Sequence, residues 1–183
     1  MKMCYFLCNK WRSEELLANP NLEFRIMNIS SFAGILVSPF MATYTGCKSF
    51  VHNFTMALHD ELYSRFHGKV TCTSVCPGYT LTPGIYKMKL QHTVAHEMKM
   101  FENADKVAKE AYYATMNGQR YTITGWGNYL IGILSYVLPV WVSSKFVRLT
   151  NADINSIGEA WRTGGPVYVE KMHATIVPLQ SKA

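Results

Sequence analysis

An α/β fold with parallel strands is predicted for this 183-residue chain by three features of its sequence. Two short apolar segments, 23–29 and 70–76, each run into a polar or Pro-Gly loop. An amphipathic stretch of helical period lies between them, and the joints are short, so strand, helix and strand follow one another as a parallel βαβ unit does. Hydrophobic residues make up 49% and charged residues 16% of the chain, which is the balance of a packed globular protein and excludes disordered, collagenous and coiled-coil chains. The length suits one core. We assign residues 1–150 to that domain and 151–183, with Gly164-Gly165-Pro166, to a C-terminal extension.

The first element is the strand at 23–29, where Phe24, Ile26 and Ile29 precede Ser30-Ser31 and a loop holding Gly34 and Pro39. From Tyr44 the period changes: Phe50, Val51, Phe54, Leu58 and Leu62 recur three and four apart, while His52, Asp60, Glu61 and Arg65 fall between them. Gly68 stops this helix. Residues 70–76 form a second strand, closed by Pro77-Gly78, with Cys72 and Cys76 on one face because they share parity. Asn103 caps a helix from Ala104 to about Met116, with Val107, Ala108, Ala111 and Tyr112 on its apolar side and Asn117-Gly118 at its end. A strand at 121–124 follows. Between Arg120 and Lys145 lie 24 residues without a charge, interrupted by glycines and Pro139, which reads as an interfacial helix or the wall of an apolar pocket.

Composition narrows the function. The net charge is +6, but the basic residues are scattered, so nucleic-acid binding is not expected, whereas phosphate-bearing ligands or contact with an anionic membrane surface fit the sign. Five cysteines without a CxxC pair, and an N-terminal apolar run too short for a signal peptide, point to a reducing, cytoplasmic setting, with attachment to an intracellular membrane as the variant of that reading. His92 and His96 have zinc-ligand spacing, yet the glutamate of His-Glu-x-x-His is missing, so no metal is expected. Met88, Met98 and Met100 would suit a lid over a lipophilic ligand.

One constellation can do chemistry. Tyr44 and Lys48 lie four apart and share a helix face. An ammonium beside a phenol favours the ionised form, which is the poise that general acid–base catalysis needs. Ser31 ends the strand 13 residues upstream, where its hydroxyl can meet the same substrate oxygen.

Three segments then carry a resemblance: Asn28-Ile29-Ser30-Ser31-Phe32-Ala33-Gly34, Tyr44-Thr45-Gly46-Cys47-Lys48 and Cys76-Pro77-Gly78-Tyr79-Thr80-Leu81-Thr82-Pro83. In order and spacing the chain resembles the second half of a short-chain dehydrogenase/reductase, from Leu7 to about Val147. The resemblance implies a partial doubly wound, Rossmann-like parallel sheet with a helical lid at 85–102 and a hydrophobic C-terminal region. It implies an oxidoreductase that uses NADP or NAD on a carbonyl or secondary alcohol of a lipophilic substrate. Tyr44 would donate the proton, Ser31 would orient the carbonyl with Ser30 as the alternative, and Lys48 would favour the phenolate and bind the nicotinamide ribose. Pro77, Gly78 and Thr82 would hold the nicotinamide carboxamide. A homodimer through the Tyr-Lys helix, or pairing with a full-length relative, is the implied assembly. The family's glycine-rich phosphate loop has no counterpart here, so the expectation includes a shortened gene product, inactive by itself or acting as an interaction module. A membrane-surface protein is the third reading.

Overall fold

The structure is a computed structural model that describes residues 19, 21–39, 41–83 and 93–151. Its centre is a three-stranded parallel sheet in the order β1-β2-β5, where β1 is Phe24–Ile29, β2 is Val70–Cys76 and β5 is Tyr121–Ile123. Helix α1, Ala42–Arg65, connects β1 to β2. Phe24 pairs with Val70 and Ile29 with Val75, while Ser74 to Cys76 pair with Tyr121 to Ile123. Because all three strands point the same way, their carboxyl ends open on one side. A second, two-stranded parallel pair, β3 (Thr80–Leu81) with β4 (Glu102–Asn103), lies beyond that end. The short helix α2, Val94–Glu97, sits between them in sequence. Helix α3 is Ala104–Met116, and α4 (Trp126–Val137) and α5 (Val140–Thr150) follow β5.

β2 is the hub. All seven of its residues are buried, because it is the central strand and α1 covers it. Cys72, Ser74 and Cys76 turn towards α1, as their shared parity requires, and Thr73 on the other face hydrogen-bonds the Gln119 carbonyl beyond α3. One apolar cluster joins Leu58, Leu62 and Phe66 to Val70 and Cys72, with Phe24 and Ile26 packed on it. A second joins Phe32 and Leu36 to Cys76, Ile123 and Val147. Each brings residues from distant parts of the chain to one place, and burial of their surface is the main force holding α1 and α5 against the sheet.

The expected elements form, with shifted faces. α1 begins at Ala42, ends at Arg65 and is followed by Gly68 at φ 81°, a left-handed value that glycine takes without penalty. Its inner face differs from the apolar periodicity: Phe50 is 60% exposed, whereas His52, Thr55 and His59 are buried beside Leu58 and Leu62. The reason is local. His52 Nδ1 meets Ser74 Oγ at 3.0 Å and His59 Nδ1 meets the Cys72 carbonyl at 2.8 Å, so the strand gives the imidazoles polar partners. α3 starts where expected, and Asn103 Oδ1 accepts from the Asp105 amide at 2.8 Å. Its buried stripe is Val107, Ala111, Ala114 and Thr115, while Tyr112 faces outward. The uncharged stretch is not one interfacial helix: it divides into β5, α4 and the start of α5, broken at Pro139 because proline cannot donate the next helical bond. His92, residues 85–92 of the lid expected at 85–102 and the extension from 152 onward lie outside the described residues.

Replacing Leu62 by Ala removes the side chain that joins α1 to β2 in the first cluster. We expect about 3 kcal/mol loss of unfolding free energy in urea titration, and a loss under about 1 kcal/mol would contradict its central place.

Candidate active site

The sequence-predicted site residues lie on the turn after β1, on the first turns of α1 and on the loop after β2, all at the carboxyl end of the sheet. In open parallel sheets this end forms the ligand crevice. Ser31 caps a single 3-10 turn, Phe32–Gly34, its Oγ accepting from the Ala33 amide at 3.2 Å. The Ser30 hydroxyl points elsewhere and donates to the Lys48 carbonyl at 2.7 Å. The turn is held from both sides. Lys48 Nζ donates to the Ile29 carbonyl at 3.1 Å, and Ser49 Oγ donates to the Gly34 carbonyl at 2.5 Å. Gly34 has to be glycine for space: a Cβ there would stand 2.8 Å from the Lys48 carbonyl carbon.

Tyr44, on the first turn of α1, is 43% exposed at this open end, and Lys48 Nζ lies 5.8 Å from the centre of its ring. The helix thus presents phenol and ammonium on one face, one turn apart. Pro77 is tied to the serine turn, because its carbonyl accepts from the Phe32 amide at 2.8 Å. Gly78 abuts α4: a Cβ on it would overlap the Asn128 side-chain amide. Asn128 is buried and held by donating to the Thr124 carbonyl at 3.0 Å, so it sets how close the Pro77-Gly78 loop comes to α4. Thr82 is exposed beyond β3. The structure therefore ties the serine turn to Lys48 through Ile29 and Ser30 and to Pro77 through Phe32, places the Lys48 ammonium over the Tyr44 ring, and leaves Thr82 at the rim.

Beneath the serines lies a buried cluster that sequence reasoning missed. Cys76 Sγ is 3.4 Å from His52 Nδ1 and 3.7 Å from Ser74 Oγ. Burial pushes the Cys76 thiol up from its ordinary value, opposed by hydrogen bonding with Ser74, Ser30 and the Ser31 backbone and by the Lys48 charge. Burial also lowers His52, whose ring meets Tyr121 edge-on at 5.9 Å. The two groups are therefore neutral, and the pair is a hydrogen-bonded floor with no nucleophilic thiolate. Same-parity Cys72, Ser74 and Cys76 were the available signal. The histidine's inward turn was hidden by the apolar residues beside it.

The family model for short chain dehydrogenase matches residues 13–93, which hold the serine turn, Tyr44, Lys48 and the Pro77-Gly78 loop. The match takes in less than half of the chain, and through those residues the chain is similar to this family. Among curated members it is 38% identical over 63 residues to the D-beta-hydroxybutyrate dehydrogenase of Rhizobium meliloti, covering 34% of this chain and 23% of that protein. It is 39% identical over 77 residues to a 3-oxoacyl-[acyl-carrier-protein] reductase of Synechocystis, covering 42% of this chain and 29% of that one. A very-long-chain 3-oxoacyl-CoA reductase of Coprinopsis cinerea is 51% identical over 37 residues, 20% of this chain and 11% of the relative. A solved structure titled for 7beta-hydroxysteroid dehydrogenase stereoselectivity superposes with a TM-score of 0.56 at 22% identity, over 66% of this chain and 46% of that one, and shows likeness of fold. The chain thus spans less than a third of the length of these curated dehydrogenase relatives. Members of the family are oxidoreductases that generally use NAD or NADP.

The geometry generates two expectations. Gly78→Ala should destabilise the chain by about 2 kcal/mol through overpacking. Adding Asn128→Ala should recover part of that loss in the same urea titration, and strict additivity of the two losses would sink the contact. His52, lowered in the folded state, binds its proton more readily when unfolded. Stability is therefore full above the unfolded value of about 6.5 and falls as pH drops below it towards the lowered folded value. The unfolding midpoint of His52→Asn should decline less between about pH 7 and pH 5 than that of the parent chain.

Proposed function

We propose that this chain carries the proton-transfer side of a dehydrogenase site acting on the carbonyl or secondary alcohol of a lipophilic substrate. The observation that supports this most directly is the pairing of exposed Tyr44 with Lys48 Nζ, 5.8 Å from its ring, at the open carboxyl end of the sheet. Tyr44 delivers its hydroxyl proton to the substrate oxygen during reduction and takes it back during oxidation. Lys48, fixed by the Ile29 carbonyl, stabilises the phenolate that forms in between. Ser31 is the serine that orients the substrate oxygen, since its hydroxyl proton is not committed by accepting from Ala33, whereas the Ser30 hydroxyl is given to Lys48.

NAD or NADP, when bound, supplies or accepts the hydride. The residues present suit the uncharged end of such a group. An ammonium has three donors and Lys48 gives one to Ile29, leaving others for ribose hydroxyls, while Pro77, Gly78 and the exposed Thr82 offer backbone and hydroxyl partners for a carboxamide. The hydroxybutyrate and 3-oxoacyl groups in the names of the matched relatives support the choice of a 3-oxo or 3-hydroxy compound, and the very-long-chain 3-oxoacyl name supports a lipophilic one.

The test is turnover of 3-oxoacyl thioesters with NADPH and with NADH, followed by loss of reduced-nicotinamide absorbance. Tyr44→Phe should lower kcat by about 10²- to 10⁴-fold with little change in fold. Lys48→Met should also weaken the rise in NADPH fluorescence on binding. Undiminished turnover in Tyr44→Phe would overturn the assignment.

A further inference from the structure

Helix α4 is built inside out. Its large apolar residues, Trp126, Tyr129, Leu130, Ile133, Leu134 and Val137, recur three and four apart and so form one stripe. In a helix of a globular domain such a stripe faces the core. Here every one of the six is exposed, Trp126 by 78% and Val137 by 79%. The inner face holds Asn128 against Gly78, partly buried Ile131, and Gly132, where a Cβ would stand 2.7 Å from the Ile123 side chain. Small inner residues let the helix lie close on β5 and send all the bulk outward. Past Pro139 the apolar surface continues through exposed Val140 and Trp141. One turn further on, Lys145 Nζ sits 5.1 Å from the centre of the Trp141 ring.

A contiguous exposed surface of this kind marks an interaction site. We propose that α4 and the first turn of α5 lie flat on an anionic lipid surface. The stripe enters the boundary between headgroups and acyl chains, and Lys145 rests among the phosphates. Three properties select lipid. Indole and phenol groups at Trp126, Tyr129 and Trp141 suit a zone that is apolar on one side and wet on the other. No carboxylate occurs between Glu110 and Asp153, so nothing on this stretch repels an anionic headgroup, and the chain as a whole is at +6. For the same reason a second copy meeting this face through its own would bring Lys145 no counter-charge, whereas phosphate does. The helix lies on the bilayer and does not cross it. Twelve residues rise about 18 Å, short of a hydrocarbon core of about 30 Å. No helix among the described residues is long and apolar enough to span a membrane.

The proposal does not depend on turnover or on cofactor binding, so its test is separate from the catalytic one. The purified chain is floated with phosphatidylcholine vesicles with and without about a third phosphatidylserine, and its tryptophan emission is recorded. We expect co-flotation with the anionic vesicles and a blue shift. Val137→Glu and Ile133→Glu, both on the exposed face and checked for unchanged circular dichroism, should abolish flotation. Lys145→Gln should weaken binding to anionic vesicles by about fivefold and leave binding to neutral ones unaltered. A folded chain that stays unbound, or a Val137→Glu variant that floats as well as the parent, overturns the proposal. So does a chain that dimerises through this face, shown by loss of the dimer in Val137→Glu, without binding vesicles.

Discussion

The site depends on a stitch between the turn after β1 and the second turn of α1. Three hydrogen bonds make it: Lys48 Nζ to the Ile29 carbonyl, Ser30 Oγ to the Lys48 carbonyl, and Ser49 Oγ to the Gly34 carbonyl. Each is worth only about 1 kcal/mol net, and somewhat more where the ammonium takes part. Their effect is geometric. They lock the strand end to the helix at one register, so Ser31 and Lys48 cannot move independently, and Tyr44, one turn before Lys48, is set at the same time. Gly34 belongs to the stitch because only a residue without a side chain lets the turn approach the Lys48 carbonyl so closely.

Much of this was legible in the sequence because local patterns govern it. The strand at Phe24–Ile29, the fully buried strand at Val70–Cys76 and the capped helix after Asn103 follow from periodicity and from turn and cap residues, which act over a few positions. What pattern reading misjudged was which face of a helix turns inward. His52 and His59 are inside because Ser74 and the Cys72 carbonyl wait for them on β2, and no local feature of α1 announces partners 22 and 13 residues away. The same limit explains α4, where Gly132 and Asn128 decide orientation through contacts with Ile123 and Gly78. Lys48 was readable as a neighbour of Tyr44, but its bond to Ile29, which fixes its place, was not.

The likeness to the family adds to the geometry without replacing it. The matched region ends at residue 93, yet the buried amide that supports the Pro77-Gly78 loop, Asn128, lies beyond it. A site read only from the matched motifs would therefore omit the wall against which its loop rests. The neutral floor of His52, Ser74 and Cys76 has a similar standing: it takes no part in the proposed proton transfer, but it fills the space under the serines with polar atoms that have partners, and such buried networks make one arrangement of a core preferable to its neighbours.

The parallel sheet also fixes the order in which a folding chain can close. Strand pairing joins residues 46 apart, Phe24 with Val70, and 47 apart, Ser74 with Tyr121, because no hairpin is available to parallel neighbours. The Ser30-to-Lys48 bond of the stitch spans only 18. Loop closure over the shorter distance costs about 0.8 kcal/mol less entropy, so the contact that shapes the catalytic end is favoured to form before the sheet is zipped. A nascent chain can thus hold the Ser31 turn against α1 while β2 and β5 are still seeking their places, and the slow part of folding is assembly of the scaffold around a locally closed loop.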